Sequence, residues 1–139
     1  MRRLITYRAN YTGIVFIAFL IMACASGPIG IPDDLTPEDL IQRGQEASDR
    51  NRYNQALQYY GAIIDRFPLN IDMICAAEYE IAFIYYKQKK YEDAKTEFNA
   101  LLAWYDTPDA ELLPLQFRKL ASIVLEKIEA KGDRGKRGK

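Results

Sequence analysis

The sequence predicts an all-α chain: a short solenoid of two helix–turn–helix repeats closed by a C-terminal capping helix. Three observations predict it. Residues 40–105 hold one pattern twice: Gly44, Tyr53-x-x-Ala56 and Tyr60 recur as Ala82, Tyr91-x-x-Ala94 and Phe98, each 38 positions on. Apolar residues throughout this stretch recur at three–four spacing, the period of a helix buried on one face. The connecting segments, Asp49–Arg52 and Lys87–Lys90, are short and polar, as turns between antiparallel helix neighbours are. Small residues let paired helices approach, and the aromatic four positions after Ala56 or Ala94 fills the space between them.

The elements follow in order. Residues 1–23 read as a targeting segment: Arg2, Arg3 and Arg8, then the apolar run Ile14–Ala23, shorter than the roughly 20 residues a spanning helix needs. The run ends in Ile21-Met22-Ala23-Cys24. Residues 24–35 are a linker by their Gly/Pro punctuation. In Thr36-Pro37-Glu38-Asp39, Thr36 can cap the first helix, Pro37 suits its first position, and the acids favour its N-terminus. Leu40, Ile41, Gly44 and Ala47 form its apolar stripe. The second helix, Tyr53 to Arg66, turns Ala56, Leu57, Tyr60, Ile63 and Ile64 inward and ends at Phe67-Pro68. The third, Asp72–Gln88, is apolar nearly all round, so it is expected at the centre of the stack. The fourth carries Tyr91, Ala94, Phe98, Leu101 and Tyr105 on one face. Thr107-Pro108-Asp109 repeats the first start signal and opens a fifth helix, with Leu113, Phe117, Leu120, Ala121, Val124 and Ile128 inward; Pro114 either begins its regular part or kinks its first turn. Gly132 is its expected stop, which leaves 36–131 as the folded domain and 132–139 as a basic, solvated tail.

Composition narrows the chemistry. The 139 residues carry 19 basic and 19 acidic side chains, unevenly spread: residues 24–130 hold 11 bases against 18 acids. An acidic body lacks the basic face a nucleic-acid binder needs. With no His, the commonest general base and metal ligand is gone, and no catalytic triad can be assembled. Glu78, Glu80, Glu92, Asp93 and Glu97 read as outer helix faces, not as metal ligands. The Gly-Lys steps at 135–136 and 138–139 lack the strand that precedes a phosphate loop. Cys24 and Cys75 make no disulfide framework, and Cys75, in the most apolar helix, reads as a small buried hydrophobe. Arg134, Lys136 and Arg137 read as a solvated tail, with anionic lipid as the alternative. Neither an enzyme nor a cofactor is expected.

The repeated Tyr-x-x-Ala with its trailing aromatic and Pro68 resembles the tetratricopeptide (TPR) family over roughly residues 40–105. The period is 38 where about 34 is usual, Asp106 falls where a second Pro would, and Glu78 stands at the usual Trp position. The resemblance implies a groove lined by the first helix of each repeat: Ile41, Gln45 and Ser48 in the first copy, Tyr79, Phe83 and Tyr86 in the second. Ile41 and Tyr79, with Gln45 and Phe83, replace the Lys and Asn residues that clamp a peptide carboxylate in chaperone-binding members. The groove is thus expected to take apolar or aromatic matter, unless the fifth helix or the linker covers it. Ile21–Cys24 resembles the lipobox of bacterial lipoproteins, which makes Cys24 the lipidation site. Asp65-Arg66-Phe67-Pro68 and Ile84-Tyr85-Tyr86 with Tyr91–Ala94 are similar to BamD-like outer-membrane assembly lipoproteins and to the Tol–Pal cell-division coordinator. What that likeness implies is a membrane-anchored adaptor facing the periplasm, on the outer membrane in preference to the inner, with envelope proteins as partners and no nucleic acid. The alternative is a small-ligand or lipid-binding accessory lipoprotein of a transport system.

Overall fold

A computed structural model describes residues 27–137, with side chains to residue 132. The expected targeting segment and Cys24 lie outside the described residues. Those described form five α-helices and no strand: α1 (Pro37–Asp49), α2 (Tyr53–Arg66), α3 (Ile71–Lys87), α4 (Tyr91–Trp104) and α5 (Leu115–Arg137), with a 3-10 turn at Pro108–Leu112. Each helix packs antiparallel on the next, α1 also meets α3, and α3 meets α5. The result is a short helical-repeat solenoid in two layers, α1–α3–α5 and α2–α4.

The repeat is written into the backbone as well as the side chains. At the end of α1, Asn51 takes a left-handed φ of 57° and at the end of α3, Lys89 takes one of 62°. In the first turn the Asn51 and Arg52 amides donate to the carbonyls of Ser48 (3.0 Å) and Ala47 (2.8 Å). In the second, Lys89 and Lys90 donate to Tyr86 and Tyr85, both at 3.0 Å. Both are Schellman caps, which satisfy the last carbonyls of a helix while reversing the chain. A left-handed lysine is strained where a glycine is not. Lys89→Gly is therefore expected to stabilise the fold by about 0.5–1 kcal/mol, raising the thermal midpoint by a few degrees. Asn51→Gly should gain less, because Asn tolerates this region and its Oδ1 accepts from the Tyr53 hydroxyl at 2.7 Å. Circular-dichroism melts of the two variants make the comparison.

Three apolar clusters run along the solenoid. The first joins Leu40, Ala47, Ala56, Tyr60 and Ile63; the second joins Ala82, Ala94 and Phe98 to Ala121, Val124 and Ile128 of α5; the third holds Cys75, Leu101, Tyr105 and Leu113. Helix α3 contributes to all three, from opposite faces, which is why it has almost no polar side. Cys75 is fully buried, and burial pushes its thiol above the ordinary range. The placement is that of a packing residue.

Two sequence expectations fail around α5. The regular helix begins at Leu115, just after Pro114, with a 3-10 turn after Thr107, but it runs through the expected stop at Gly132 to Arg137. Thr36 closes a capping box with Asp39. At the second Thr-Pro the third residue on is Ala110, which has no carboxylate to return the bond, and the Thr107 hydroxyl donates instead to the Trp104 carbonyl at 2.7 Å. Pro114 then holds Leu113 extended (φ −89°, ψ 141°), as a residue before proline prefers. Leu120, expected inward, is 41% exposed, and Ala121 next to it takes the inner position. The linker also departs from a free tether. Ile31 and Leu35 pack on the first cluster, and Arg66 holds the Ile31 and Pro32 carbonyls at 3.1 and 2.8 Å.

Candidate interaction groove

The face built by α1, α3 and α5 carries the expected groove residues. On α1, residues 41, 45 and 48 recur at helical spacing, and on α3 so do 79, 83 and 86; parallel packing of the two helices sets these rows side by side. The seam is polar. Gln45 donates to Glu80 at 3.1 Å, and the Lys87 ammonium donates to Ser48 (3.0 Å) and to Asp49 (3.3 Å). Ser48 is only 2% exposed, so it is a buried partner of Lys87 and has no surface to offer. Ile41 is half-buried against the first cluster. Gln45 alone of the α1 trio is exposed.

The aromatic side of the groove is continuous. Tyr79 stacks on Phe83 with centroids 5.8 Å apart, Phe83 on Tyr86 at 5.6 Å, and Tyr86 meets Tyr91 at 5.9 Å. Offset stacking over consecutive helical turns fixes the rings as one plate. Its two ends differ. Tyr79 also touches Phe98 of α4 (5.7 Å) and Phe117 of α5 (5.8 Å), so it is wedged between three helices. At the other end Lys131 of α5 lies 4.8 Å from the Tyr86 centroid and 5.2 Å from that of Tyr91, and donates to both hydroxyls at 3.2 and 3.4 Å. Lys87 lies 5.6 Å from the Phe83 centroid. These cations sit at the faces of the rings, where the quadrupole attracts them. The structure thus brings Phe83 and Tyr86 to a half-open face, and ties Tyr79 into the core beneath it.

Two groups here escaped the sequence reading. Lys131, placed at the domain's last position, is a groove residue; its spacing from Tyr86 gave no signal, because only the crossing of α3 and α5 joins them. Glu80, read as an outer face, lies in the seam, and burial raises its carboxyl above the usual range against the pull of the Gln45 amide. The linker lies on the other layer, where the Ile29 amide donates to Gln58 of α2 at 2.8 Å. Among the described residues the linker leaves the groove uncovered, while α5 covers the Tyr79 end with Phe117 and reaches over the Tyr86 end with Lys131 alone. Surface clefts include one of about 310 Å³ behind the groove's end, lined by Tyr91, Glu129 and Lys131, and others of about 460–570 Å³ elsewhere, one lined by polar residues of α1 and α2 such as Gln42, Arg43 and Gln55. Neither Phe83 nor Tyr86 lines them.

Comparison with known proteins gives distant relatives. The chain is 36% identical over 113 residues to a Treponema pallidum protein of unassigned function, across 80% of this chain and 45% of that protein. It is 32% identical over 122 residues to the tetratricopeptide repeat and J domain-containing co-chaperone DNJ1 of Fusarium oxysporum, across 88% of this chain and 22% of that protein. The chain spans less than half the length of either relative. No protein-family model and no solved structure matches it.

Proposed function

We propose that this helical-repeat chain is a non-enzymatic adaptor that holds a protein partner on its α1–α3–α5 face, tethered to a bacterial envelope membrane through a lipidated Cys24. The observation that carries the binding role is the stacked, half-open plate of Phe83 and Tyr86, flanked by Lys87 and Lys131. Rigid aromatics beside a cation make good anchors, since they bury much area and lose little side-chain entropy on binding. Similarity to a co-chaperone named for its tetratricopeptide repeats supports the same class of role. The partner is an envelope protein, with outer-membrane protein assembly the favoured setting and the outer membrane the favoured location.

Because Tyr79 is tied to Phe98 and Phe117, a test of binding belongs at Phe83 and Tyr86. Phe83→Ala with Tyr86→Ala is expected to lower recovery of partner from detergent-solubilised envelope membranes at least tenfold. The far-ultraviolet dichroism should remain helical. A folded double variant that recovers the same partner in the same yield would remove this face from consideration.

A further inference from the structure

The charges of this formally neutral chain are sorted by the fold into two opposite edges. Helices α1, α3 and α5 run parallel, so their C-terminal ends share one edge with the N-terminal ends of α2 and α4. That edge carries Arg50, Arg52, Lys87, Lys89, Lys90 and Lys131. Its acids are Glu46, which Arg50 engages at 3.8 Å, Asp49, which Lys87 engages at 3.3 Å, Glu92, which Lys95 engages at 2.7 Å, Asp93, and Glu129 beside Lys131. The opposite edge holds Asp33, Asp34, Glu38, Asp39, Asp65 and Asp72, with further acids in the 106–111 segment; its cations include Arg66, which grips Asp33 at 3.4 Å, and Arg118, which lies on the Tyr105 ring.

Helix stability does not account for the basic edge. A cation in the last turn of α1 or α3 complements the helix dipole, but one at a helix N-terminus opposes it. Arg52 and Lys90 stand at the N-caps of α2 and α4, and neither side chain caps its helix. Lys89 takes a left-handed conformation that a glycine would hold without strain. Arg52 and Lys89 form no ion pair among the described residues. Arg52 and Lys89 thus carry a base where folding favours something else, while Lys90 opposes the α4 dipole but is held 5.7 Å from the Tyr85 centroid.

The path of the linker supplies the second observation. From Asp33 at the end of α2 it runs back past Gln58, and Gly27 arrives beside Asn51, Arg52, Tyr53 and Gln88, on the basic edge. Cys24 lies three positions before Gly27, a span of at most about 11 Å. That is close to one Debye length at 0.1 M salt.

We infer that the edge formed by Arg50, Arg52, Lys89 and Lys90 is a membrane-facing surface that rests on anionic phospholipid headgroups, and so sets the orientation of the domain. This rests on the reading of Cys24 as the anchor. An anchor entering at the basic edge brings these cations into the negative surface potential, where each adds attraction. It also turns the acidic edge away and stands the aromatic groove perpendicular to the bilayer, open from the side.

The test uses the full chain with vesicles of phosphatidylcholine alone, or with one-third phosphatidylglycerol. Amide hydrogen exchange is followed in the turns at 50–53 and 88–91 and in the segment 106–112. On anionic vesicles the two turns are expected to exchange at least fivefold more slowly than on neutral ones, with 106–112 unchanged. Arg50→Glu, Arg52→Glu, Lys89→Glu and Lys90→Glu combined should abolish the difference, as should 0.5 M salt; all four positions are exposed, so the variant should remain helical. Equal exchange on both vesicle types, or an unaltered difference in the variant, overturns the assignment. So does soluble polyphosphate, should it protect the same turns as strongly as the vesicles do. Fatty-acid labelling of wild type against Cys24→Ala reads the anchor separately. An unlabelled chain that still sediments with anionic and not neutral vesicles would remove the anchor and keep the edge.

Discussion

Ala82→Arg is expected to leave the domain unfolded at room temperature, or to lower its thermal midpoint by on the order of 15–30 °C. Ala82 is fully buried and belongs to the cluster in which α3 meets Ala94 of α4 and Ala121 of α5. Three fully buried alanines, one from each helix of this cluster, let the backbones approach closely and leave little room for a longer side chain. Arginine would bring both excess volume and a charge without a partner, and an uncompensated buried charge alone costs about 3–5 kcal/mol. A domain of this size has only about 5–15 kcal/mol in all. Helix α3 cannot relieve the strain by tilting, because it is held by neighbours in both layers. Far-ultraviolet melts of the variant decide the matter. A midpoint within a few degrees of wild type would mean that Ala82 does not occupy the crossing the repeat assigns to it.

Much of this was legible in the sequence because the repeat is local chemistry written twice. The 38-residue offset fixes which residues share a crossing, and the same offset relates the two left-handed turns at Asn51 and Lys89. Neither turn contains a glycine, so their conformation had to be seen. The helix starts divide for a similar reason. Thr36 and Thr107 precede the same Pro-acid phrase, but only Thr36 finds a carboxylate three residues on. Within the groove, the family resemblance assigned six residues to one face, at positions that helical spacing allows. Spacing gives the face of one helix, not the depth at which a neighbour buries it. Hence Ser48 and Tyr79 prove to be tied inward while Gln45, Phe83 and Tyr86 stay in reach. Lys131 and the sorting of charge to two edges depend on which helix ends meet, and no single stretch of sequence carries that.

Gly44→Ala is expected to destabilise the fold by about 2–3 kcal/mol, although alanine is the better helix former by roughly 1 kcal/mol. A methyl group built on Gly44 would lie 2.7 Å from Cζ and 2.9 Å from Cδ1 of Tyr60, and closer still to Cε1. The Tyr60 ring is fully buried and rigid, so the contact can be relieved only by moving α1 away from α2. The second copy of the repeat has Ala82 against Phe98 at the same two positions, so the motif itself tolerates the methyl; the helix spacing of the first copy does not. The conflict is with ring carbons that Phe shares. Tyr60→Phe should therefore fail to rescue Gly44→Ala, whereas Tyr60→Leu, which removes Cε1 and Cζ, should make the double variant less unstable than the two single losses added together. A coupling of about 1–3 kcal/mol is the size expected for side chains in direct contact. Tyr60→Phe alone has an independent signature. The Tyr60 hydroxyl is buried without a hydrogen-bond partner among the described residues, and burial together with Glu80 and Asp49 raises its pKa. Removing that hydroxyl should stabilise the protein by about 1 kcal/mol. The raised folded-state pKa means that wild type loses stability as pH climbs above the unfolded value of roughly 10, and Tyr60→Phe should lose less over the same window. Urea titrations of the single and double variants at pH 7 and pH 10.5 measure all of these together; additive losses in Gly44→Ala with Tyr60→Leu would show that the two side chains do not meet.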